Sequence, residues 1–425
     1  MIQRKIVGAS RLDGTVTAPP SKSVTQRAVA CALLAEGVST IVDPSLSDDG
    51  QAAVDLAGML GARIVCSETD GQTTLAVHPR AADPAEVLFC GESGLSLRMF
   101  APIAALWDKQ FILEGRDTLI RRPMGMLEAP LQALGARCET MGGLQPVTVQ
   151  GPLQGGEATV DGSVSSQPVS GLLLALPRCP KDSVLSVADL RSKPYVRMTL
   201  RVAAEFGVSI EADEELSRFV VPGNQAYRAC EYRVEGDWSG AAFLLVAGAI
   251  AGKVSVRGLR ADSAQADRRI LEALDAAGAK ISWDGDVVTV EKNDLHAFTF
   301  DAVDSPDLFP PLVALAAYCE GTSSISGVGR LRHKESDRAA ALVQELALLG
   351  VPVGLEGQAM RITGAPVYGH VAESRGDHRI AMALAVLGLG ATQAIYIDDW
   401  QCVTKSYPDF FADLAALGAD VSDKE

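Results

Sequence analysis

Closely spaced cysteines are missing from this 425-residue sequence: its eight Cys residues stand singly, and no C-x-x-C pair occurs. This spacing excludes a zinc knuckle and a C-x-x-C redox motif. Isolated thiols are typical of a reducing compartment, so we expect the cytoplasm. Long apolar runs are missing too, since the N-terminal MIQRKIVGASRLDG has no apolar core and Gly, Pro or charge interrupts the others. We therefore predict neither a secretory leader nor a membrane span.

Basic and aromatic residues are also scarce. The chain has 38 Lys and Arg against 53 Asp and Glu, a formal net charge of −15. This balance disfavours nucleic acid or an anionic membrane as a partner, so any bound anion must meet locally concentrated Lys and Arg. Aromatic residues make up 5% and hydrophobic residues 48%, and there are 40 Gly. Such a composition is typical of a folded chain with an aliphatic core and many tight turns.

A repeated pattern spans the whole sequence. Six amphipathic segments each end in a Gly that precedes alternating β-forming residues, and successive glycines are 74, 72, 71, 72 and 68 residues apart. These glycines are Gly61, Gly135, Gly207, Gly278, Gly350 and Gly418. Gly suits the position just after a helix, where φ is positive. We interpret the chain as six copies of a unit of about 70 residues.

A second set of helices is apolar on nearly every side, which predicts that they are buried. Their sequences are RAVACALLAEG, MFAPIAALW, VSGLLLAL, AAFLLVAGAIAG, LFPPLVALAAYCEG and IAMALAVLGLG. Short runs such as KVSVRG, VLSVAD and YRVEG indicate strands. The predicted fold class is therefore α/β, with a repeated β-α-β-α-β-β order.

The starts of these six helices are rich in Gly, Ser and Asp, as N-caps are. They contain SKSVTQR, GESGLSLR, GSVSSQPVSG, EGDWSGAA, DSPDLFPP and GDHRIAM. Helix capping alone explains the composition of any single helix start. Several also carry a cation near the first turn, namely Lys22, Arg27, Arg98 and Arg379, and a helix N-terminus beside a cation binds anions. The convergence favours a dianionic or doubly phosphorylated ligand.

Nine ordered motifs resemble the 5-enolpyruvylshikimate-3-phosphate synthase family over essentially the whole chain. They are SKSVTQR, GESGLSLR, RRPMG, DGSVSSQ, SKPY, SPD, KESDR, GDHRIAM and TKSYPDFF. The resemblance implies a 3-phosphoshikimate 1-carboxyvinyltransferase of the shikimate pathway to chorismate and aromatic amino acids. Such an enzyme transfers the enolpyruvyl group of phosphoenolpyruvate to the 5-hydroxyl of shikimate 3-phosphate through a tetrahedral intermediate and releases phosphate. The resemblance implies no metal or organic cofactor, and we expect a monomer.

The resemblance also implies two globular domains of three repeat units each, arranged around an interdomain cleft. We expect one domain at 1–20 and 236–425 and the other at 21–235, because the chain would cross near Pro19-Pro20 and Glu235-Gly236. Three of the repeat glycines fall between these crossings and three after them.

The resemblance assigns substrate contacts position by position. For shikimate 3-phosphate it implies Lys22, Ser23, Arg27, Ser165, Ser166, Gln167, Ser192, Tyr195, Asp307 and Lys334. For phosphoenolpyruvate it implies Lys22, Gly94, Arg122, Gln167, Arg338, Arg379 and Lys405. Hydroxyl and amide groups suit a polyhydroxylated ring, and guanidinium forks suit carboxylate and phosphate.

The proton transfers also have implied residues. The resemblance implies Asp307 as the base at the shikimate hydroxyl and Glu335 as the group that exchanges a proton with the methylene carbon, with Lys22 as a third catalytic candidate. His378 matches a histidine of the cleft, and a structural role for it is equally open.

Several positions depart from the family pattern. Glu92, Leu95 and Met99 replace the usual Asn, Thr and Pro in and after the GESGLSLR loop, and Arg330 and Gly376 stand where Asn is common. In this family the herbicide glyphosate occupies the phosphoenolpyruvate site. A carboxylate at this helix start repels an anion, so we expect weaker glyphosate binding relative to phosphoenolpyruvate.

Two alternatives are open. A sister enolpyruvyl transferase acts on UDP-N-acetylglucosamine, but it usually has a Cys in the loop that is GRDTLIRRPMG here. A non-catalytic sensor of small molecules is the second alternative, and the presence of Lys22, Asp307 and Glu335 disfavours it.

Overall fold

Helices and strands alternate along residues 3–332 and 334–424, which are the residues that the computed structural model describes. The helices are α1 (Lys22–Leu34), α2 (Asp48–Met59), α3 (Gly94–Ala104), α4 (Glu128–Ala133), α5 (Gln167–Ala175), α6 (Lys193–Glu205), α7 (Trp238–Ala251), α8 (Ile270–Ala276), α9 (Phe309–Ala316), α10 (Arg338–Leu348), α11 (His378–Gly388) and α12 (Phe410–Ala416). The strands are β1 (Arg4–Gly8), β2 (Leu12–Thr17), β3 (Ala35–Glu36), β4 (Ser39–Val42), β5 (Arg63–Thr69), β6 (Gln72–His78), β7 (Val87–Phe89), β8 (Gln110–Glu114), β9 (Arg137–Met141), β10 (Leu144–Gln150), β11 (Glu157–Asp161), β12 (Ser183–Ala188), β13 (Glu211–Ala212), β14 (Arg218–Val221), β15 (Tyr227–Arg228), β16 (Glu231–Arg233), β17 (Gly252–Arg257), β18 (Lys280–Asp284), β19 (Val287–Glu291), β20 (Thr299–Asp301), β21 (Thr322–Ser326), β22 (Val353–Glu356), β23 (Ala359–Thr363), β24 (Val371–Glu373), β25 (Ile395–Asp398) and β26 (Asp420–Lys424). The predicted α/β class is confirmed.

The chain divides into two compact units. Unit 1 combines Met1–Pro19 with Gly236–Glu425, and unit 2 is the continuous segment Pro20–Glu235. Unit 1 is therefore built from two pieces of chain that are far apart in sequence.

Each unit contains four-stranded mixed sheets with one common pairing pattern. In unit 2 the strand orders are β16-β4-β6-β5, β7-β8-β10-β9 and β11-β12-β14-β13, and in unit 1 they are β2-β17-β19-β18, β20-β21-β23-β22 and β24-β25-β1-β26. In every one of these sheets the first two strands run parallel and the other pairs run antiparallel. Parallel neighbours need a crossover connection, and helices such as α3, α5, α9 and α11 supply it.

The helices with apolar residues on all sides are buried, as the sequence predicts. Every residue of α3, α7, α9 and α11 is buried. In unit 1, α7, α9 and α11 join the inner faces of the sheets in one hydrophobic core. Within the described residues, no helix is both long enough and apolar enough to cross a membrane.

The six glycines that the repeat pattern placed after helices all have positive φ, between +81° and +100°. Gly61 shows why no other residue fits well there. Its φ is +96°, and a Cβ atom would lie 2.4 Å from the carbonyl oxygen of Ala82. Both the conformation and the close approach exclude a side chain.

Of the three runs expected to be strands, KVSVRG forms β17 and VLSVAD forms β12. The third, YRVEG, is strand only at Tyr232 and Arg233 within β16. The chain leaves β16 there and reaches the boundary of the two units at Glu235.

Candidate active site

The predicted helix starts bring the candidate residues to the first turns of helices. In unit 2, α1 begins at Lys22, α3 at Gly94 and α5 at Gln167. In unit 1, α11 begins at His378, and the SPD motif forms a 3₁₀ turn at Pro306–Leu308 that leads into α9. The free N–H groups of such turns favour negative ligands.

Two side chains of α1 connect this helix to the starts of α2 and α3. The ammonium of Lys22 donates to Asp49 Oδ2 at 2.8 Å. The buried amide of Gln26 donates to Ser93 Oγ at 2.9 Å and Ser96 Oγ at 2.8 Å, and to the Asp49 carbonyl at 3.1 Å. These bonds fix α1 against the starts of both α2 and α3.

Arg27 is a buried cation whose hydrogen bonds in the described chain go to neutral oxygens. It donates to the Ser23 carbonyl and Thr199 Oγ1, both at 2.8 Å, and to Ser170 Oγ and the Tyr195 carbonyl, both at 3.3 Å. Burial lowers the pKa of Arg27 to about 10, so the group keeps its charge at neutral pH. A buried cation without a carboxylate among its acceptors attracts an anion.

The start of α5 carries Gln167 between two polar partners. Its backbone N–H donates to Ser165 Oγ at 3.2 Å, and its Oε1 accepts from Arg98 Nη1 at 2.7 Å. Ser166 is buried just before the helix. Ser192 precedes α6 in a left-handed conformation with φ of +56°.

Gly94 allows a guanidinium to lie directly against the start of α3. A Cβ atom at this position would be 2.5 Å from Nη1 and 2.6 Å from Cζ of Arg122. The missing side chain is therefore what leaves space for Arg122. Arg98, in the same helix, donates from Nη2 to the Pro123 carbonyl at 2.8 Å and so fixes the loop that follows Arg122.

Glu92, one of the departures from the family, contacts the turn that leads to Arg122. Its Oε2 accepts from Thr118 Oγ1 at 3.0 Å and from the Thr118 N–H at 3.4 Å. Two of the other departures, Leu95 and Met99, are buried side chains of α3. The expected effect of Glu92 on glyphosate stays a prediction.

In unit 1, Asp307 is surrounded by three cations from two other segments of the chain. Its Oδ1 accepts from Arg338 Nη1 at 2.7 Å and from Lys334 Nζ at 3.2 Å. Its Oδ2 lies 3.4 Å from Arg379 Nη2. The KESDR and GDHRIAM motifs therefore meet at the carboxylate of the SPD motif.

Arg338 is the most heavily bonded group of this network. Its Nε donates to Asp377 Oδ2 at 2.8 Å and its Nη2 donates to Glu335 Oε2 at 2.6 Å. Asp377 also accepts from the Arg379 N–H at 3.0 Å, which caps α11. Burial alone would lower the pKa of Arg338, but Asp377, Glu335 and Asp307 outweigh it and raise that pKa.

The same balance acts on the groups that contact Arg338. Burial favours the neutral form of Asp307, yet Arg379, Lys334 and Arg338 together hold its pKa well below the ordinary value. Burial lowers the pKa of Lys334, and Asp307 opposes that shift. Asp307 is therefore ionised at neutral pH and is a weak base until some of the surrounding positive charge is neutralised.

Two further candidate residues flank the start of α11. Lys405 donates to the Gly376 carbonyl at 2.8 Å. The ring of His378 is buried, with Nδ1 4.0 Å from Asp377 Oδ1.

Comparison with known protein families identifies the family of this chain. The family model for EPSP synthase (3-phosphoshikimate 1-carboxyvinyltransferase) matches residues 6–414. The chain belongs to the EPSP synthase family. This confirms the family predicted from the nine motifs.

Alignments with curated relatives extend over nearly the whole length of this chain. A 3-phosphoshikimate 1-carboxyvinyltransferase of Aeropyrum pernix is 41% identical over 98% of this chain and 96% of its own length. One of Thermococcus kodakarensis is also 41% identical, over 95% of this chain and 97% of its own. A solved EPSP synthase of Acinetobacter baumannii has a TM-score of 0.83 at 24% identity and full coverage of both chains, which shows the same fold.

Within each unit, the structure joins most of the residues that the EPSP synthase motifs single out. In unit 1 the assigned residues Asp307, Lys334, Glu335, Arg338 and Arg379 form one bonded network. In unit 2 the assigned residues form three smaller groups. Hydrogen bonds join Ser23 and Tyr195 to Arg27, and Gln167 to Ser165, and the Arg122 guanidinium lies against Gly94.

Sequence reasoning missed the carboxylates that hold the assigned cations. Asp49 binds Lys22 from a position 27 residues further along the chain, and Asp377 binds Arg338 across 39 residues. The only signal available was that Asp49 lies in the first turn of a helix and Asp377 lies in a motif at a helix start. Neither position indicates which cation it meets.

Proposed function

We propose that this chain catalyses the reaction of its family, transfer of the enolpyruvyl group of phosphoenolpyruvate to the 5-hydroxyl of shikimate 3-phosphate. The observation that carries the proposal is the Asp307 carboxylate, which contacts Lys334, Arg338 and Arg379. It combines a base with cations that suit a phosphate and a carboxylate.

Phosphoenolpyruvate binding is proposed to activate this base. Without substrate, Asp307, Glu335 and Asp377 neutralise Arg338 and Arg379. Bound phosphate and carboxylate groups bring new negative charge to these guanidinium groups. The attraction that lowers the pKa of Asp307 then weakens, and its proton affinity rises toward the range of an efficient base.

The proton movements follow from these positions. Asp307 accepts the proton of the 5-hydroxyl as the hydroxyl oxygen attacks C2 of the enolpyruvyl group. Glu335, which takes up a proton once bound substrate anions neutralise Arg338, donates that proton to the methylene carbon. As the tetrahedral intermediate loses phosphate, the phosphate takes the proton held by Asp307, and the methyl group returns a proton to Glu335 so that the double bond is restored. No other group is consumed, so atoms and charge balance with phosphate as the only leaving group.

Shikimate 3-phosphate is proposed to bind through the cations and hydroxyl groups that its family assigns to it in unit 2. Arg27 supports this role because all its hydrogen-bond acceptors among the described residues are neutral oxygens. A bound phosphate would therefore give this buried cation an anionic partner. Lys22 is proposed to contact both substrates, which requires that Asp49 share its ammonium.

A coupled assay tests the function. Phosphate release should require both phosphoenolpyruvate and shikimate 3-phosphate, and mass spectrometry should find the enolpyruvyl ether of shikimate 3-phosphate. Replacing shikimate 3-phosphate by UDP-N-acetylglucosamine should abolish release. Turnover only with the nucleotide sugar would indicate the sister enzyme, and binding without turnover would indicate a sensor.

We also propose that the enzyme is a cytoplasmic monomer. All eight cysteines are free thiols, which supports a reducing compartment. Light scattering coupled to size exclusion should give the mass of a single chain, and a dimer mass would contradict the monomer.

A further inference from the structure

Arg98 differs from the other three cations near the predicted helix starts, because no substrate is assigned to it. It lies in the second turn of α3 and is buried, with only 3% of its surface exposed. Burying a guanidinium is costly unless its N–H groups have acceptors. The acceptors of Arg98 therefore indicate what this side chain does.

Two acceptors of Arg98 belong to segments that carry assigned residues. Its Nη1 donates to Gln167 Oε1 at 2.7 Å, at the start of α5. Its Nη2 donates at 2.8 Å to the carbonyl of Pro123, the residue directly after Arg122. Because the guanidinium group is planar and rigid, two bonds from its two ends fix its orientation.

The backbones of α3 and α5 approach each other closely at this contact. Gly171 lies one turn after Gln167 in α5, and residues one turn apart share a face of the helix. A Cβ atom at Gly171 would lie only 3.0 Å from the carbonyl oxygen of Arg98. Helix packing therefore sets the position of Arg98 relative to Gln167.

The contact also determines which end of the Gln167 amide faces Arg98. An arginine side chain only donates hydrogen bonds, so the atom that faces it must be the amide oxygen. The nitrogen Nε2 lies on the other side of the amide and donates to no group among the described residues. Gln167 is partly exposed, so these N–H groups are accessible to an acceptor on a ligand.

The direction of this amide matters for the two substrates to which Gln167 is assigned. Phosphoenolpyruvate offers phosphate and carboxylate oxygens, and shikimate 3-phosphate offers phosphate and hydroxyl oxygens. An N–H donor stabilises such oxygens, whereas an amide oxygen in its place would repel the anionic ones. Gln167 therefore favours binding only while its oxygen faces away from the substrates.

We propose that Arg98 is a positioning residue that orients the Gln167 amide, so that its NH₂ group faces the substrates. The bond to Pro123 holds the guanidinium in place, and Arg98 itself contacts neither substrate. This role differs from anion binding, which the sequence pattern favoured for this cation. The inference rests on the proposed function, in which Gln167 binds both substrates.

Calorimetry with shikimate 3-phosphate alone is the primary measurement. Arg98 also fixes the loop after Arg122, and Arg122 is assigned to phosphoenolpyruvate only, so shikimate 3-phosphate isolates the effect through Gln167. In Arg98→Met the Kd should rise roughly five- to twentyfold, because the amide is no longer held in one orientation. Gln167→Leu should cause a rise of similar size.

The double variant Arg98→Met/Gln167→Leu shows whether Arg98 acts through Gln167. Its Kd should exceed that of Gln167→Leu by less than about twofold, since there is no amide left to orient. A general structural role of Arg98 would instead multiply the two losses.

Gln167→Glu tests the direction of the amide separately. Glu has nearly the same shape and forms an ion pair with Arg98, but its carboxylate only accepts hydrogen bonds. This variant should stay folded by circular dichroism and bind shikimate 3-phosphate at least about fivefold more weakly.

Arg178→Met is the matched control. Arg178 lies in the 3₁₀ turn after α5, in the same unit, and donates to the Gln225 carbonyl at 3.2 Å. Removing this guanidinium should leave the Kd for shikimate 3-phosphate unchanged. An equal loss in the control would show that the effect is not specific to Arg98 and would overturn the proposal.

Wild-type affinity in Arg98→Met or in Gln167→Leu, or multiplied losses in the double variant, would overturn the proposal as well. If circular dichroism shows that Arg98→Met is unfolded, Gln167→Glu decides, and wild-type affinity there would equally overturn it. A wild-type protein that neither binds shikimate 3-phosphate nor releases phosphate would instead contradict the proposed function.

Discussion

Asp307 connects three segments of unit 1 and is also the proposed base, so its replacement tests both roles. In Asp307→Asn the amide keeps the shape but cannot take up the hydroxyl proton. We expect kcat to fall by roughly 10²–10⁴. Shikimate 3-phosphate should still bind, because the cations and hydroxyl groups remain. Phosphate release and calorimetry measure the two effects, and a loss of less than about threefold in kcat would remove Asp307 from the mechanism.

Asp267, which is buried in the 3₁₀ turn Ala266–Arg269 before α8, should make stability depend on pH. Its pKa of about 7 exceeds the ordinary value, so the folded chain binds this proton more tightly than the unfolded chain. The stabilisation is complete below the unfolded pKa of about 4 and disappears as pH rises through 7. Asp307, with its lowered pKa, acts in the opposite direction and loses its contribution only in acid.

The Tm of Asp267→Asn relative to wild type should therefore be higher at pH 8 than at pH 5. Thermal melts of both proteins at the two pH values measure this. An equal difference at pH 5 and pH 8 would show that the proton of Asp267 does not contribute to folding.

Gly94 offers a test of how Arg122 is placed. In Gly94→Ala the new methyl group would collide with the guanidinium, which must move. We expect KM for phosphoenolpyruvate to rise roughly tenfold, with KM for shikimate 3-phosphate nearly unchanged. Arg122→Lys should give the same selective effect, because Lys cannot form a two-point contact. Equal rises for both substrates would argue against this assignment.

At the scale of single residues, the candidate site was only partly predictable from the sequence. The motifs contain the cations, because Lys and Arg beside helix starts are visible in the sequence. Their partners Asp49 and Asp377 were not predictable, since each is brought into contact by the packing of separate helices. The buried Asp267 was missed for the same reason: its hydrogen-bond partner Ser239 lies in another segment.

At the scale of the helices, α3 and α5 pack closely because α5 has a glycine, Gly171, where the two helices touch. A Cβ at Gly171 would lie 2.7 Å from the carbonyl oxygen and 2.8 Å from the Cα of Met99. Gly171→Ala should therefore push these helices apart and cost about 1–3 kcal/mol of unfolding free energy. The displacement would also move Gly94 and Gln167 at their N-termini.

Gly58→Ala is the control, because a Cβ atom at this position of α2 would meet no neighbouring atom within 4 Å. Ala favours helix over Gly, so stability should increase by up to about 1 kcal/mol. Urea unfolding of both variants measures the difference. If Gly171→Ala were as stable as Gly58→Ala, the contact between α3 and α5 would not be tight.

The local elements were the most predictable part of the fold. The all-apolar helices are buried and the glycines after helices have positive φ, because both features depend on nearby residues. The run YRVEG was less predictable, since β16 pairs with β4 from the other end of unit 2 and ends with that partner at Val42. The interpretation of the chain as six copies of one unit stays a prediction.

The two units of the whole molecule differ in how the chain builds them. Unit 2 contains every strand of its sheets within Pro20–Glu235. Unit 1 needs β2 beside β17 and β1 between β25 and β26. A fragment of residues 20–235 should thus fold alone, whereas 236–425 should need a peptide of residues 1–19.

Cooperative urea unfolding monitored by circular dichroism tests both fragments. The 20–235 fragment should show a cooperative transition, and 236–425 should gain one only when the peptide is added. An equally cooperative transition of 236–425 without the peptide would contradict the importance of β1 and β2.

The central place of β1 also determines when unit 1 can be completed during synthesis. Residues 4–8 leave the ribosome well before 395–398 and 420–424, the strands that pair with them. At ~5–20 residues per second, the interval is on the order of tens of seconds. During that time β1 has no neighbours and unit 2 has been translated. The nascent chain therefore carries an unpaired strand, which a chaperone could bind, until the last residues of unit 1 have been made.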